Sequence, residues 1–190
     1  MIAESAGFSR GEYVKKGHMY LIENALKKVD FLYIFVVEED LSEFSFKDRF
    51  AIVQKNCKRF NNVKVLPSGK YMISSFTFAE YFKKDDLQEK NIMPAKDVRL
   101  FGSAIAKCLN IKFRFVGEEP LDNVTRQYNE TMKQILGDYG IKLIEVPRCK
   151  LPSGEIINAT KVRKLLKEGK FQECRQYLTE ETYSYIIDSN

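Results

Sequence analysis

The sequence predicts a three-layer α/β fold of Rossmann-like type, with a central sheet of parallel strands between two layers of helices and a helical C-terminus. Three observations predict it. Short apolar runs at residues 31–37, 63–66, 112–116 and 141–146 alternate with stretches whose apolar residues recur at helical spacing. The first run is continuously apolar, as in a strand covered on both faces. Acidic or glycine-containing loops follow two of the strands, Glu38-Glu39-Asp40 after the first and Gly117-Glu118-Glu119 after the third. In parallel sheets of this kind, ligands sit beyond the carboxyl ends of the strands.

In chain order, residues 1–13 form an atypical N-terminus. Ile2, Ala6 and Phe8 stand among polar neighbours, and no first strand is expected there. Gly17-His18 then opens a helix whose apolar residues Leu21, Ile22, Ala25 and Leu26 share one face. A helix N-terminus presents unpaired N–H groups and a partial positive charge, so it receives anions well. Gly17 lets a phosphate approach the backbone, and His18, the sole histidine, adds a side-chain donor. The alternative is an ordinary cap with a surface histidine.

Residues 31–37 read as a strand, 46–57 as a helix and 63–66 as a strand stopped at Pro67. Residues 77–84 suggest a short aromatic helix, and the charge-rich stretch 83–94 suggests a mobile excursion. Val98, Phe101, Ile105 and Leu109 mark a helix over 95–109, followed by a strand at 112–116. A helix at 123–136, a strand at 141–146 and helices from Thr160 onward complete the chain, with Thr179 as the cap of the last.

A second helix start resembles the first in its use of polar groups. Asn158 or Thr160 can cap it, and Lys161 and Arg163 fall in its first turns. Cations are poorly placed at a helix N-terminus unless an anion sits there too; otherwise they simply face solvent.

At 190 residues and 44% hydrophobic, the chain can bury one good core, so one domain over 1–190 is expected, with 160–190 as its C-terminal helical part. The net charge of +5 favours an anionic partner, but nucleotide phosphate suffices and nucleic acid is not required. Cys57, Cys108, Cys149 and Cys174 form no C-x-x-C pair and read as free thiols in a reducing compartment. The N-terminus lacks a signal-peptide pattern, and no apolar stretch is long enough to span a bilayer. A cytoplasmic protein with no membrane partner is the expectation.

Seven segments, in order, carry a family resemblance. They are Gly17-His18-Met19-Tyr20-Leu21-Ile22-Glu23; Phe35-Val36-Val37-Glu38-Glu39-Asp40; Phe46-Lys47-Asp48-Arg49-Phe50; Tyr71-Met72-Ile73-Ser74-Ser75-Phe76-Thr77-Phe78; Arg114-Phe115-Val116-Gly117-Glu118-Glu119-Pro120; Val124-Thr125-Arg126-Gln127-Tyr128-Asn129; and Ile157-Asn158-Ala159-Thr160-Lys161-Val162-Arg163. Together the chain resembles the nucleotidyltransferase superfamily with H-x-G-H and I-S-S-T-x-x-R signatures, and more closely the C-terminal domain of citrate lyase ligase. The resemblance covers roughly residues 14–186. It departs at Lys15, where the superfamily has His or Thr, and no Asn-Pro-Phe turn precedes it. The acetyltransferase-like N-terminal domain of full citrate lyase ligases lies outside the resemblance, which leaves citrate lyase itself open as the partner.

The resemblance implies transfer of AMP from ATP to an acetate-like carboxylate, with release of pyrophosphate. The alternatives are a CTP-dependent cytidylyltransferase acting on a small phosphorylated acceptor, and a degenerate nucleotide-binding module. In citrate lyase ligase the acetyl adenylate then acetylates a thiol of the lyase prosthetic group, so an acyl-carrier-type protein is a candidate partner. His18 would meet the α-phosphate with Gly17 and Lys15 at the same helix start. Lys161 and Arg163, with Asn158, Ala159 and Thr160, would hold the β- and γ-phosphates. Gly117 and Glu118 would contact base or ribose. Arg49 would reach acceptor or leaving group, or else pair with Asp48 or Glu39. Ser75, Thr77, Tyr128 and Asn129 would line the acceptor pocket; the alternatives are helix capping for the first two and helix surface for the others. Mg2+ bridging the phosphates is implied by the chemistry, with no protein ligand cluster assigned to it.

Overall fold

The computed structural model describes residues 2–4, 14–38, 45–74, 94–120 and 122–188. The expected helix at 77–84 and the charged stretch 83–93 lie outside the described residues, as do Glu39, Asp40, Ser75 and Thr77. Five strands are described: β1 (Ile2–Glu4), β2 (Leu32–Val36), β3 (Val63–Pro67), β4 (Phe113–Gly117) and β5 (Lys142–Val146). The helices among them are α1 (Lys16–Leu26), α2 (Phe46–Cys57), α3 (Ala95–Leu100), α4 (Asn123–Ile135), α5 (Ala159–Lys167), α6 (Phe171–Cys174) and α7 (Glu180–Asp188).

The expectation that the N-terminus contributes no strand is corrected. Ile2, Ala3 and Glu4 pair in parallel with Leu32, Tyr33 and Ile34 of β2. A three-residue strand needs no apolar run of its own when its neighbours supply the ladder, which is why its sequence carries so little signal. β2 pairs in parallel with β3, and β4 with β5, each over five residues in register. β1 also lies alongside β4, which sets the three-stranded sheet β1-β2-β3 next to the two-stranded sheet β4-β5. β2 and β3 extend to one side of β1 while β4 and β5 lie to the other, and parallel α/β folds open a crevice at the carboxyl ends where the chain changes sides in this way.

Strand alternation sends side chains to two faces. Leu32, Ile34 and Val36 of β2 and Phe115 of β4 are buried with Met19, Ile22 and Ala25 of α1, Ile52 and Val53 of α2, and Val162 and Leu165 of α5. On the other face, Phe35 and Val116 are buried with Val98, Val124 and Met132 of α3 and α4. These two cores are the two interfaces of a three-layer fold, and the continuous apolar runs follow from them.

Helix starts follow their caps. Ser45 Oγ accepts from Asp48 N–H at 3.2 Å, Asp122 from Thr125 N–H at 3.1 Å, and Thr179 from Thr182 N–H at 3.3 Å. The helix expected over 95–109 is not uniform: α3 continues as π-helical turns over Phe101–Ala106. The wider turns coincide with a close approach. A Cβ on Gly102 would lie 2.5 Å from the Tyr139 ring, so glycine is what lets that ring pack on the helix.

Candidate active site

A cleft of about 830 Å³ opens at the carboxyl ends of β4 and β5 and is bounded by the starts of α1 and α5. This is within the size range of small-molecule sites, roughly 300–1,000 Å³. Two helix N-termini therefore open onto one crevice.

At the start of α1, Lys15 has an extended backbone and its carbonyl accepts from His18 N–H at 2.9 Å. In return, Lys15 N–H donates to His18 Nδ1 at 3.1 Å. With Nδ1 accepting, the proton of the neutral ring sits on Nε2. Enclosure away from water, then the positive charges of Lys15 and Arg148, hold the His18 pKa well below the usual histidine value. The site thus keeps His18 as a neutral donor. A Cβ on Gly17 would meet Cys149 and Ile157 only at ordinary contact, 3.9 Å, so protein packing does not demand glycine there. Gly17 does line the cleft, where the missing side chain leaves space.

At the start of α5, the open choice of cap resolves to Asn158, whose Oδ1 accepts from Lys161 N–H at 2.8 Å. Thr160 instead meets Arg163 Nη2 at 3.3 Å. Lys161, Arg163 and Lys164 follow from this helix, and Lys170 from the turn after it. With Lys15 and Arg148, six cationic side chains line the cleft against three carboxylates, Glu119, Asp122 and Glu168. The excess of positive charge suits an anion.

The loop after β4 is held in place from two sides. Asn129 Nδ2 donates to the Gly117 carbonyl at 3.1 Å, and Arg148 Nε donates to the Glu118 carbonyl at 2.5 Å. Arg148 also pairs with Glu119. Arg148 follows β5 by two residues, so its place at a strand end could have pointed to it.

Beneath the cleft lies a buried polar network. Tyr128 donates to Asp97 at 2.6 Å and receives from Arg114 Nη2 at 3.0 Å, while Asp97 accepts from Ile73 N–H at 2.5 Å. Arg114 lies over the Phe101 ring at 4.2 Å. Burial raises the Tyr128 pKa well above the usual tyrosine value. Ile73, which borders the cleft, has φ +46°, a strained conformation for a β-branched residue that this bond to Asp97 helps to hold.

The cleft brings together Lys15, Gly17, His18, Gly117, Tyr128, Asn129, Asn158, Ala159, Thr160, Lys161 and Arg163, eleven of the expected site positions. Glu118 contributes its backbone to the neighbouring loop. Arg49 lies apart from the residues that line the cleft: it is 2% exposed and its Nη1 donates to the Val37 carbonyl at 2.7 Å. Tyr128 and Asn129 border the cleft as buried residues, Tyr128 donating to Asp97 and Asn129 to the Gly117 carbonyl. Sequence reading missed Arg148, Glu155, Asp97 and Arg114.

Among the described residues, no helix is long and apolar enough to cross a membrane. Two solved structures share the fold. Thermotoga maritima TmcAL bound with alpha-thio ATP matches with a TM-score of 0.53 at 12% identity, covering 99% of this chain and 54% of that one. Francisella tularensis pantoate-beta-alanine ligase complexed with beta-gamma ATP and beta-alanine matches with a TM-score of 0.51 at 14% identity, covering 90% and 69%. In sequence, the chain is 38% identical over 175 residues to [citrate [pro-3S]-lyase] ligase of Haemophilus influenzae and 34% identical over 175 residues to that of Klebsiella pneumoniae. Each match takes in 90% of this chain and 52% or 51% of the relative, so the chain spans about half the length of these curated relatives. The family model described as citrate lyase ligase C-terminal domain matches residues 12–186, and the chain belongs to that family.

Proposed function

We propose that the cleft binds ATP and that this domain transfers AMP to a carboxylate acceptor of acetate size, releasing pyrophosphate. The observation that carries this reading is the convergence of two helix N-termini on one cleft, one bearing a neutral His18 and the other Lys161 and Arg163. Anionic phosphate is the ligand that such a pair of termini favours.

In the reaction, a carboxylate oxygen of the acceptor attacks the α-phosphorus. A new P–O bond forms, the bond from the α-phosphorus to the bridging oxygen breaks, and its electron pair leaves with pyrophosphate. The acceptor is already anionic, so no base is needed. This agrees with His18, whose Nδ1 is engaged and whose Nε2–H is the group able to donate. Donation to the α-phosphate oxygens stabilises charge as the transition state forms. Lys161, Arg163 and the α5 N-terminus hold the leaving phosphates, and positioning supplies the rest.

Magnesium fits this site only as a companion of the nucleotide. Among the described residues, no group of three or more potential ligands is gathered, and Glu119 and Glu155 are engaged with cations. Phosphate oxygens and water would supply the ligands, and the ion would neutralise charge on the polyphosphate. The acyl adenylate would pass its acyl group to a thiol, with an acyl-carrier-type protein as the partner and the cytoplasm as the setting.

Calorimetric titration with ATP and, separately, CTP, each with magnesium, tests the pocket. Binding of ATP, lost in the Lys161→Ala/Arg163→Ala double variant, is expected. Preferential binding of CTP would replace the adenylyl reading with the cytidylyl one, and binding of neither would remove the nucleotide site.

A further inference from the structure

The loop ahead of α5 carries a carboxylate that adenylyl transfer does not call on. Glu155 precedes the antiparallel bridge partner Ile156, which meets Lys150 and closes the loop. Its Oε1 lies 2.5 Å from Lys161 Nζ, and the Tyr177 hydroxyl reaches both carboxylate oxygens at 3.2 Å. The Tyr177 ring lies 5.2 Å from the same ammonium. Tyr177 is itself a fixed post: it is 1% exposed, and its carbonyl accepts from Lys16 N–H at 2.9 Å, at the start of α1. One tyrosine thus ties the carboxylate and the ammonium to both helix starts that bound the cleft.

The ion pair itself is only partly buried, with Lys161 41% and Glu155 36% exposed. Pairs this exposed add little to folding, so stability does not account for the arrangement. Its chemistry resembles the filled site: a carboxylate oxygen and a phosphate oxygen both accept charge-assisted hydrogen bonds from an ammonium. A polyphosphate carries more charge than a carboxylate and also meets Arg163 and the α5 N-terminus, so it can displace Glu155 from Lys161.

We infer that Glu155 is an internal competitor for the polyphosphate: it holds Lys161 in the empty cleft, yields it to the β- and γ-phosphates, and takes it back as pyrophosphate departs. This rests on the reading that α5 receives the polyphosphate. The exchange involves no covalent change. Its consequence is selective, because a nucleoside monophosphate at α1 does not need Lys161 and is not penalised by Glu155.

The test is calorimetric titration of wild type, Glu155→Gln, Lys161→Ala and the double variant with pyrophosphate and with AMP. Glutamine keeps the size and an accepting oxygen but removes the charge. Glu155→Gln is expected to bind pyrophosphate about three- to tenfold tighter, as for loss of one nearby like charge in a partly exposed site. AMP affinity is expected to stay the same. In the Lys161→Ala background the gain should vanish, since no ammonium remains to be contested. Tyr177→Phe, which removes the anchor of the carboxylate, should shift pyrophosphate affinity in the same direction by less. Unchanged or weaker pyrophosphate binding in Glu155→Gln would overturn the inference while leaving the polyphosphate site in place. So would an equal gain for AMP, or a gain that survives Lys161→Ala, because either would mark a general field effect. If wild type binds no pyrophosphate, the polyphosphate reading of α5 falls, and this inference with it.

Discussion

The backbone N–H of Lys15 donates to Nδ1 of His18, and that bond decides which imidazole nitrogen carries the proton. Protonating Nδ1 would set two donors against each other, and enclosure of the ring further disfavours the cation. The single histidine resonance is therefore expected to report the Nε2–H tautomer and to titrate well below pH 6.5. A nitrogen-detected NMR titration reads both. Linkage gives the stability effect its sign. Below pH 6.5 the unfolded chain takes up a proton that the folded protein refuses, so this group's contribution falls as pH drops from 6.5 toward the folded pKa. Above 6.5 it is flat. Thermal unfolding across this range should show a slope that His18→Gln reduces.

Arg163 stands one turn into α5, beside the expected β- and γ-phosphates. Arg163→Ala should weaken ATP binding by about tenfold while leaving AMP binding within about twofold, as for one lost charge-assisted contact. Competition of each nucleotide with a fluorescent ATP analogue measures the two losses. Equal losses would take Arg163 out of the leaving-group role.

Asp97 and Arg114 are both 0% exposed and meet through the Tyr128 hydroxyl. Asp97→Ala would leave the buried guanidinium without this carboxylate and release Ile73 N–H. A loss of about 3–5 kcal/mol is expected from breaking a buried charge network. Urea unfolding gives the number, and Asp97→Asn, which keeps the shape and an acceptor, should cost less.

Gly102 faces the Tyr139 ring so closely that any side chain must displace it. Gly102→Ala should destabilise by about 1–3 kcal/mol, typical of overpacking. Thermal unfolding of Gly102→Ala alone and combined with Tyr139→Leu would show part of the loss recovered once the ring is gone.

The elements that the sequence reveals best are those with their own strong local signals. β2 is a continuous apolar run, and α2, α4 and α5 begin at side chains that cap them. Asn158 and His18 were legible because a helix start imposes local rules on a few consecutive residues. β1 was not, since three residues of ordinary composition become a strand only through pairing with β2. The bond from Arg49 to the Val37 carbonyl was not legible, because the two residues come from different elements. Asp97, Tyr128 and Arg114 lie on three separate elements, and no spacing in the sequence announces that they meet. Glu155 and Tyr177 likewise acquire meaning only when the loop before α5 folds against the turn that follows α6.

The most direct measurement of the central claim is exchange of labelled pyrophosphate into ATP, run with and without acetate. Adenylyl transfer to a carboxylate predicts label in ATP only when acetate or a similar small carboxylate is present. His18→Ala should reduce the rate about a hundredfold, as for a lost transition-state donor. Binding of ATP with no exchange in the presence of any small carboxylate would contradict the account, as would exchange that is indifferent to His18.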